Sequence, residues 1–495
     1  MTQFKNKIKQ FGRMVQQWCS PALFAVFAAA GIVGLLLFVP PLNGYADNGD
    51  FYRMMDAVGL YHRLGQPYHM VAYINPTYGI RQYFNENTAA LFSSQPLFIR
   101  PAIWLNQLVF NRLVFDIRFQ GIIYYVLFLG ALYLVVRAVT RGRGLRQYVL
   151  AAVCVFVFAD SSYTLYFNSL FGEAAMAVTG MAAVAALLLL ARREIRPAWR
   201  RWLLLAIFLL SAGLLITVKQ QNAPLALSYM VMALGLLPLL PRRKKLLAAG
   251  VLAALLITGG MTYKLITPEF QNINRYQTMT RGVLLMDKNP GKTLEEGKIN
   301  PQFALLRQSV YYQSYQPVNT RGTVVQRDFV QRFDFVWVLR FYLTHLPAFG
   351  RILDLAAKDG QLTQVKAVSN YSAASGRTKQ AQTHYFTGFS SFMGTFFPAK
   401  FAFYCLFVAV MMGLYAGGAY LGFRRHQAWP IMKLAVVTGL GSIIIGVMVI
   451  SVVGDGDADL AKHLFMVAQS TDWLLILLLS DVTNQTLFRE PEAAV

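Results

Sequence analysis

Residues 47–53 read Asp-Asn-Gly-Asp-Phe-Tyr-Arg, which puts Asp47 and Asp50 three positions apart and Arg53 three further on. A carboxylate held near a hydroxyl takes its proton as a general base, and a cation beside it neutralises a phosphate or other anion. Three other stretches carry the same kinds of group: Asp160, Glu173, and Gly454–His463, which holds Asp455, Asp457, Asp459, Lys462 and His463. Each lies where a long apolar run ends. Acidic groups at such edges are costly unless hydrated, paired or functional, so their convergence marks candidate chemistry. Asp50 has a plainer alternative as the N-cap of a helix over 51–64.

The elements that position these groups follow from composition. The chain has 495 residues, 56% of them hydrophobic and only 14% charged, with mean hydropathy +0.42. A soluble domain is less apolar than that, and the charges here cluster between apolar runs. The reading is an all-α polytopic membrane protein. Spans are expected at 21–39, 119–136, 147–167, 171–191, 202–218, 225–240, 247–263, 399–421, 431–453 and 464–480, about ten in all. Residues 1–20 read as a basic amphipathic lead-in, and 21–39 as a retained signal anchor, because no small-residue cleavage site follows.

The net charge of +23 is explained by location. Arg137, Arg141, Arg143 and Arg146, then Arg242, Arg243, Lys244 and Lys245, then Arg424 and Arg425 all fall in short loops on one side. By the positive-inside rule that side is cytoplasmic, with the amino terminus, and the acidic motifs are extracytoplasmic. No basic tract interleaved with aromatics points to nucleic acid.

Three regions are expected: a transmembrane module over 1–263 that includes a first extracytoplasmic loop (43–118), a mostly helical extracytoplasmic loop domain over 264–398, and carboxy-terminal spans over 399–495. Within the first loop, 93–114 is amphipathic and reads as a helix lying in the membrane interface. The third span is clean only over Tyr148–Ala159, so it should end early at a polar turn shielded by protein. Residues 358–385 read as a mobile polar loop, and no strand-rich pattern is visible. The loop domain carries more Lys and Arg than Asp and Glu, which suits an anionic partner at the membrane surface.

Several chemistries lack their sequence support. No phosphate-cradling glycine loop, dinucleotide fingerprint, nucleophile elbow or HExxH pair occurs. Cys19, Cys154 and Cys405 lie in or beside apolar runs without metal or disulfide spacing. Asp455, Asp457 and Asp459 are spaced like the start of a calcium loop, but Leu460 and Met466 stand where its glycine and bidentate glutamate belong. No metal site is assigned; a looser divalent cation on those carboxylates is an open alternative.

The motifs D-x-x-D-F-Y-R at 47–53, DSSYTLYFNSLFGE at 160–173 and GDGDADLAKHLF at 454–465, with a large outer loop before the last three spans, resemble the GT-C superfamily of polytopic glycosyltransferases. Within it they look like bacterial glycan-biosynthesis hexose transferases of the WsfD type. The resemblance implies inverting transfer of a hexose from a polyprenyl-phosphate-linked sugar donor to a glycan or lipid-linked glycan acceptor at the cell envelope. It implies Asp50 as general base, with Asp47 orienting it or touching the acceptor. Asp160 matches the family's second acidic position, Glu173 lies in the same stretch, and Arg53, Lys462 and His463 are the candidates for the donor phosphate. The rival reading is a transporter or flippase of lipid-linked glycans, which paired repeats and mid-membrane charges would favour; neither is apparent. A third is a non-catalytic scaffold subunit, which predicts no turnover with any donor.

Overall fold

A computed structural model describes residues 19–65, 67–68, 70–82, 91–192, 197–239, 245–312 and 318–489. The lead-in at 1–18 lies outside them. Eight described helices are long and apolar enough to cross a membrane: α1 (Pro21–Phe38), α4 (Ile117–Val139), α7 (Glu173–Leu190), α8 (Ala198–Val218), α10 (Lys245–Lys264), α15 (Phe401–Arg424), α16 (Ala428–Asp455) and α18 (Phe465–Thr483). At ~1.5 Å per residue even the eighteen-residue α1 reaches about 27 Å, close to a hydrocarbon core.

The third expected span breaks as its sequence requires. Helix α5 (Leu145–Phe158) is followed after Ala159-Asp160 by α6 (Ser161–Thr164) and a 3₁₀ turn to Asn168, bent by 49° from α5. Counting that pair as one span gives nine. The tenth, expected at 225–240, is a correction: α9 (Leu225–Leu234) has ten residues and ends at Gly235, with one 3₁₀ turn at Leu237–Leu239. It reaches only about 15 Å.

Helix α7 is the buried centre of the bundle, with 89% of its span inside the protein. Its Ala and Gly residues let neighbours approach closely. A Cβ at Gly180 would stand 2.1 Å from Gln469 Oε1 of α18, while Gln469 Nε2 donates to the Ala177 carbonyl at 2.8 Å.

The first loop holds α2 (Tyr52–Val58), α3 (Pro96–Val109) and a three-stranded antiparallel sheet, β1 (Leu60–Tyr61), β2 (Thr77–Ile80) and β3 (Val114–Asp116), ordered β1-β2-β3. The register pairs Leu60 with Ile80 and Thr77 with Asp116. Sequence periodicity missed this sheet because no strand exceeds four residues. Helix α3 buries Phe98, Ile99, Ala102 and Ile103 and exposes Leu97, Trp104, Leu108 and Val109. That two-faced apolar surface suits a helix lying against lipid.

Between α10 and α15 the chain is mostly helical, including α11 (Pro268–Gln277), α12 (Phe335–Thr344), α13 (Leu346–Asp359) and α14 (Gly388–Phe396). Residues 358–385, where a mobile polar loop was expected, are tied to the first loop. Isolated bridges pair Asn43 with Tyr371 and Ile74 with Ser372, and Asn370 Nδ2 donates to the Gly44 carbonyl at 3.0 Å. The backbone of this stretch pairs with that of the first loop, with Ala46 N donating to the Ser369 carbonyl at 3.0 Å, which polarity alone does not reveal.

Candidate active site

The polar stretches meet on one cavity of about 1190 Å³. Its wall includes Asp50, Arg53, Glu173, Lys219, Arg275, Arg281, Asp455, Asp457, Asp459, Lys462 and His463. Five of the seven residues expected in the site are therefore together: Asp50, Arg53, Glu173, Lys462 and His463. Asp47 and Asp160 are not on the wall.

Asp47 is the loop's organiser. Its Oδ1 accepts from the amides of Gly49 at 2.7 Å and Phe51 at 3.1 Å, and its Oδ2 accepts from the Tyr68 hydroxyl at 2.7 Å. Gly49 sits at φ +100°, open to glycine and strained for other residues. The capping role expected as Asp50's alternative is not filled: α2 has no side-chain cap, and the Asp47 carboxylate instead ties the turn that precedes the helix. Asp47 is buried in its own turn, behind the cavity wall.

Asp50 is left to face the cavity. Lys462 Nζ donates to its Oδ2, and Arg53 Nη2 lies 3.2 Å from its Oδ1. Lys462 also meets Asp459 Oδ2 at 3.1 Å, and the Arg53 guanidinium rests 4.6 Å above the Phe270 ring centroid. Burial alone would raise the Asp50 pKa, but Lys462 and Arg53 outweigh it and hold the carboxyl well below the usual range. Burial would likewise lower Lys462, but Asp50 and Asp459 hold it above the ordinary lysine value. Both are charged at neutral pH.

Lys462 is delivered by the short helix α17 (Leu460–His463), reached through a tight backbone passage. Gly456 has φ +65° and ψ −136°, and a Cβ there would stand 2.5 Å from the Arg281 carbonyl carbon. The three aspartates of this loop point to different partners. Asp455 accepts from Gln277 Nε2 at 2.9 Å, Asp457 pairs with Arg281 at 2.7 Å, and Asp459 turns to Lys462. Among the described residues no group of three or more His, Cys, Asp or Glu side chains converges as a metal site would require. The spacing that left a divalent cation open does not translate into converging ligands.

His463 reaches the cavity without the charge expected of it. Burial lowers its pKa to about 4, against the pull of Asp459, so the imidazole is neutral at neutral pH. It offers a hydrogen bond rather than a positive charge. Glu173, at the first turn of α7, is fully buried and paired with Lys219 from the end of α8.

Asp160 lies off the cavity. It caps the turn between α5 and α6 through Ser162 N at 2.9 Å, and accepts from Ser390 N at 3.0 Å and Ser390 Oγ at 2.8 Å. Both of its carboxylate oxygens are engaged in pinning α14 to the broken span. Sequence reasoning missed Lys219, Arg275 and Arg281 as wall residues. Lys219 could have been found as the lone charge ending a span; Arg275 and Arg281 sit in a basic stretch with no distinguishing spacing.

The fold and this buried charged cavity define an all-α, multi-pass membrane protein. The model of the YfdI N-terminal transmembrane domain matches residues 5–494, and the chain belongs to that family. No curated protein matches it. Among solved structures it is similar to the archaeal oligosaccharyltransferase AglB from Archaeoglobus fulgidus, determined in complex with an inhibitory peptide and a dolichol-phosphate. The identity is 14% and the TM-score 0.39, over 94% of this chain and 50% of that one. The chain thus spans about half the length of the structure it matches.

Proposed function

We propose that this protein is a GT-C-type membrane glycosyltransferase that moves a hexose from a polyprenyl-phosphate donor to a glycan or lipid-linked glycan acceptor, with inversion. The finer likeness to WsfD-type hexose transferases belongs to the same reading, as does an extracytoplasmic site. The observation that carries it is the Asp50 carboxylate on the cavity wall, held there between the cations Lys462 and Arg53.

In this mechanism the donor phosphate takes over Lys462 and Arg53, which neutralise the charge that grows as the lipid phosphate leaves. Carboxylates and amides of the opposite wall, Asp455 and Gln277 among them, accept and donate to sugar hydroxyls. Losing part of its cation contact raises the basicity of Asp50. An acceptor hydroxyl then gives its proton to Asp50 while its oxygen bonds the anomeric carbon and the carbon–oxygen bond to phosphate breaks. The electron pair of that bond departs on the polyprenyl phosphate. No strong general acid is required, because the leaving group is already a stable anion. The test is hexose transfer by purified protein from a panel of polyprenyl-phosphate hexoses, with Asp50→Asn as comparison. Transfer by the wild type and its loss in the variant support the reading; no turnover with any donor overturns it.

A further inference from the structure

Asp50 pairs with two cations, and each of them has a second partner of a different kind. The Lys462 ammonium stands 5.3 Å from the centroid of the Phe171 ring, and the Arg53 guanidinium stands 4.6 Å from that of Phe270. Both separations lie within the roughly 6 Å over which a ring face attracts a cation. Both rings line the cavity, Phe171 from the turn before α7 and Phe270 from α11.

Phe171 is firmly seated. It is buried, and its ring is set T-shaped against three others, with centroids at 4.6 Å for Phe51, 6.1 Å for Tyr166 and 6.2 Å for Tyr45. The backbone around it is tied as well. Phe171 N donates to Ser169 Oγ at 3.3 Å, and the Leu170 carbonyl accepts from Gln95 Nε2 at 2.6 Å. Phe51 follows Asp50 in the chain, so one ring meets both the neighbour of the carboxylate and the cation that pairs with it.

The two kinds of partner act differently on an ammonium. Asp50 and Asp459 neutralise Lys462 and compete with any anion that approaches it. A ring face attracts the charge through its quadrupole and orients it, but leaves it unneutralised. It is also the partner that need not be given up when the ammonium turns to a phosphate. We propose that Phe171 is a positioning residue: its ring keeps the Lys462 ammonium in place while the ammonium exchanges Asp50 for a phosphate oxygen, and Phe270 serves Arg53 in the same way. The part these cations take in transfer rests on the reading above; their placement by the rings does not.

The test replaces Phe171 in the full chain, held in lipid nanodiscs, with mono-, di- and trifluorophenylalanine. Fluorine draws electron density from the ring face and leaves its shape nearly unchanged, so the attraction to a cation fades stepwise while packing is retained. The same series in Lys462→Met lacks the cation, and the difference between the two backgrounds isolates the contact. With Lys462 present the melting temperature should fall with each fluorine; in Lys462→Met the fall should be smaller or absent. With Lys462 present kcat/KM for hexose transfer should fall in the same order, by roughly threefold to thirtyfold at trifluorophenylalanine, the range a cation–π contact spans between exposed and desolvated sites. Equal melting trends in the two backgrounds overturn the contact. Melting trends that differ, with a transfer rate indifferent to fluorination, overturn the positioning role. Melting trends that differ, with no transfer by the wild type, keep the ring's hold on Lys462 and remove the glycosyltransferase reading.

Discussion

Asp50→Asn separates chemistry from scaffolding with one oxygen changed to nitrogen. The Asp50 side chain is about a quarter exposed, and Lys462 retains Asp459 at 3.1 Å when Asp50 loses its charge. The lysine is therefore not stranded, and the stability cost should be on the order of 1–2 kcal/mol. The catalytic cost is larger: loss of a positioned general base removes roughly 10²–10⁴-fold in rate, about 3–5 kcal/mol of barrier. The assay is transfer of labelled hexose from a polyprenyl-phosphate hexose, with thermal unfolding measured on the same preparation. The pH profile adds a second check. The folded-state pKa of Asp50 lies below its unfolded value, so its pairing stabilises the fold fully above the unfolded pKa. That contribution is lost only as pH falls through the depressed folded value. The free enzyme should therefore show no acid limb from Asp50 in kcat/KM between about pH 5 and 8, whereas kcat, which reports the complex, should fall at a higher pH once phosphate has drawn Lys462 away. A variant that folds and transfers hexose at the wild-type rate would refute the base assignment.

Three further outcomes follow from the same geometry. Lys462→Met leaves Asp50 with Arg53 alone; kcat/KM should drop about 10²-fold or more, and an acid limb should appear in its pH profile as the Asp50 pKa rises. Asp160→Asn weakens the ties to Ser162 and Ser390 and should cost about 1–3 kcal/mol of stability, seen as a lower melting temperature with activity per folded molecule unchanged. Gly456→Ala forces a Cβ toward the Arg281 carbonyl in a backbone region costly for other residues, and should lower the melting temperature by an amount equivalent to at least about 2 kcal/mol.

Much of the scaffold is legible in the sequence because hydrocarbon-spanning helices must be long and apolar, and eight such helices stand where runs of that kind do. The break after Ala159 was legible too, since Asp160-Ser161-Ser162 cannot continue an apolar span. The short α9 was not: a run from 225 to 240 is apolar enough to span, and only the packing of Met232 and Gly235 against α16 shows where it stops. In the site, Asp50 and Arg53 were readable from local spacing. That Asp47 ties the turn while Asp50 reaches the cavity was not, because the two carboxylates have the same letter, and only the direction of the Gly49 and Phe51 amides separates them. The tie from Asp160 to α14 was hidden for a related reason: Ser390 lies 230 residues away and leaves no local trace. The neutral state of His463 is likewise a product of burial.

The contact between Asp50 and Lys462 joins positions 412 residues apart. During synthesis Asp50 is made long before Lys462. Until α17 has been translated, Asp50 lacks its contact with Lys462 and keeps only Arg53. An unfinished chain therefore holds an incomplete pocket. Under the proposed mechanism, the chain acquires activity only once α17 has brought Lys462 to Asp50.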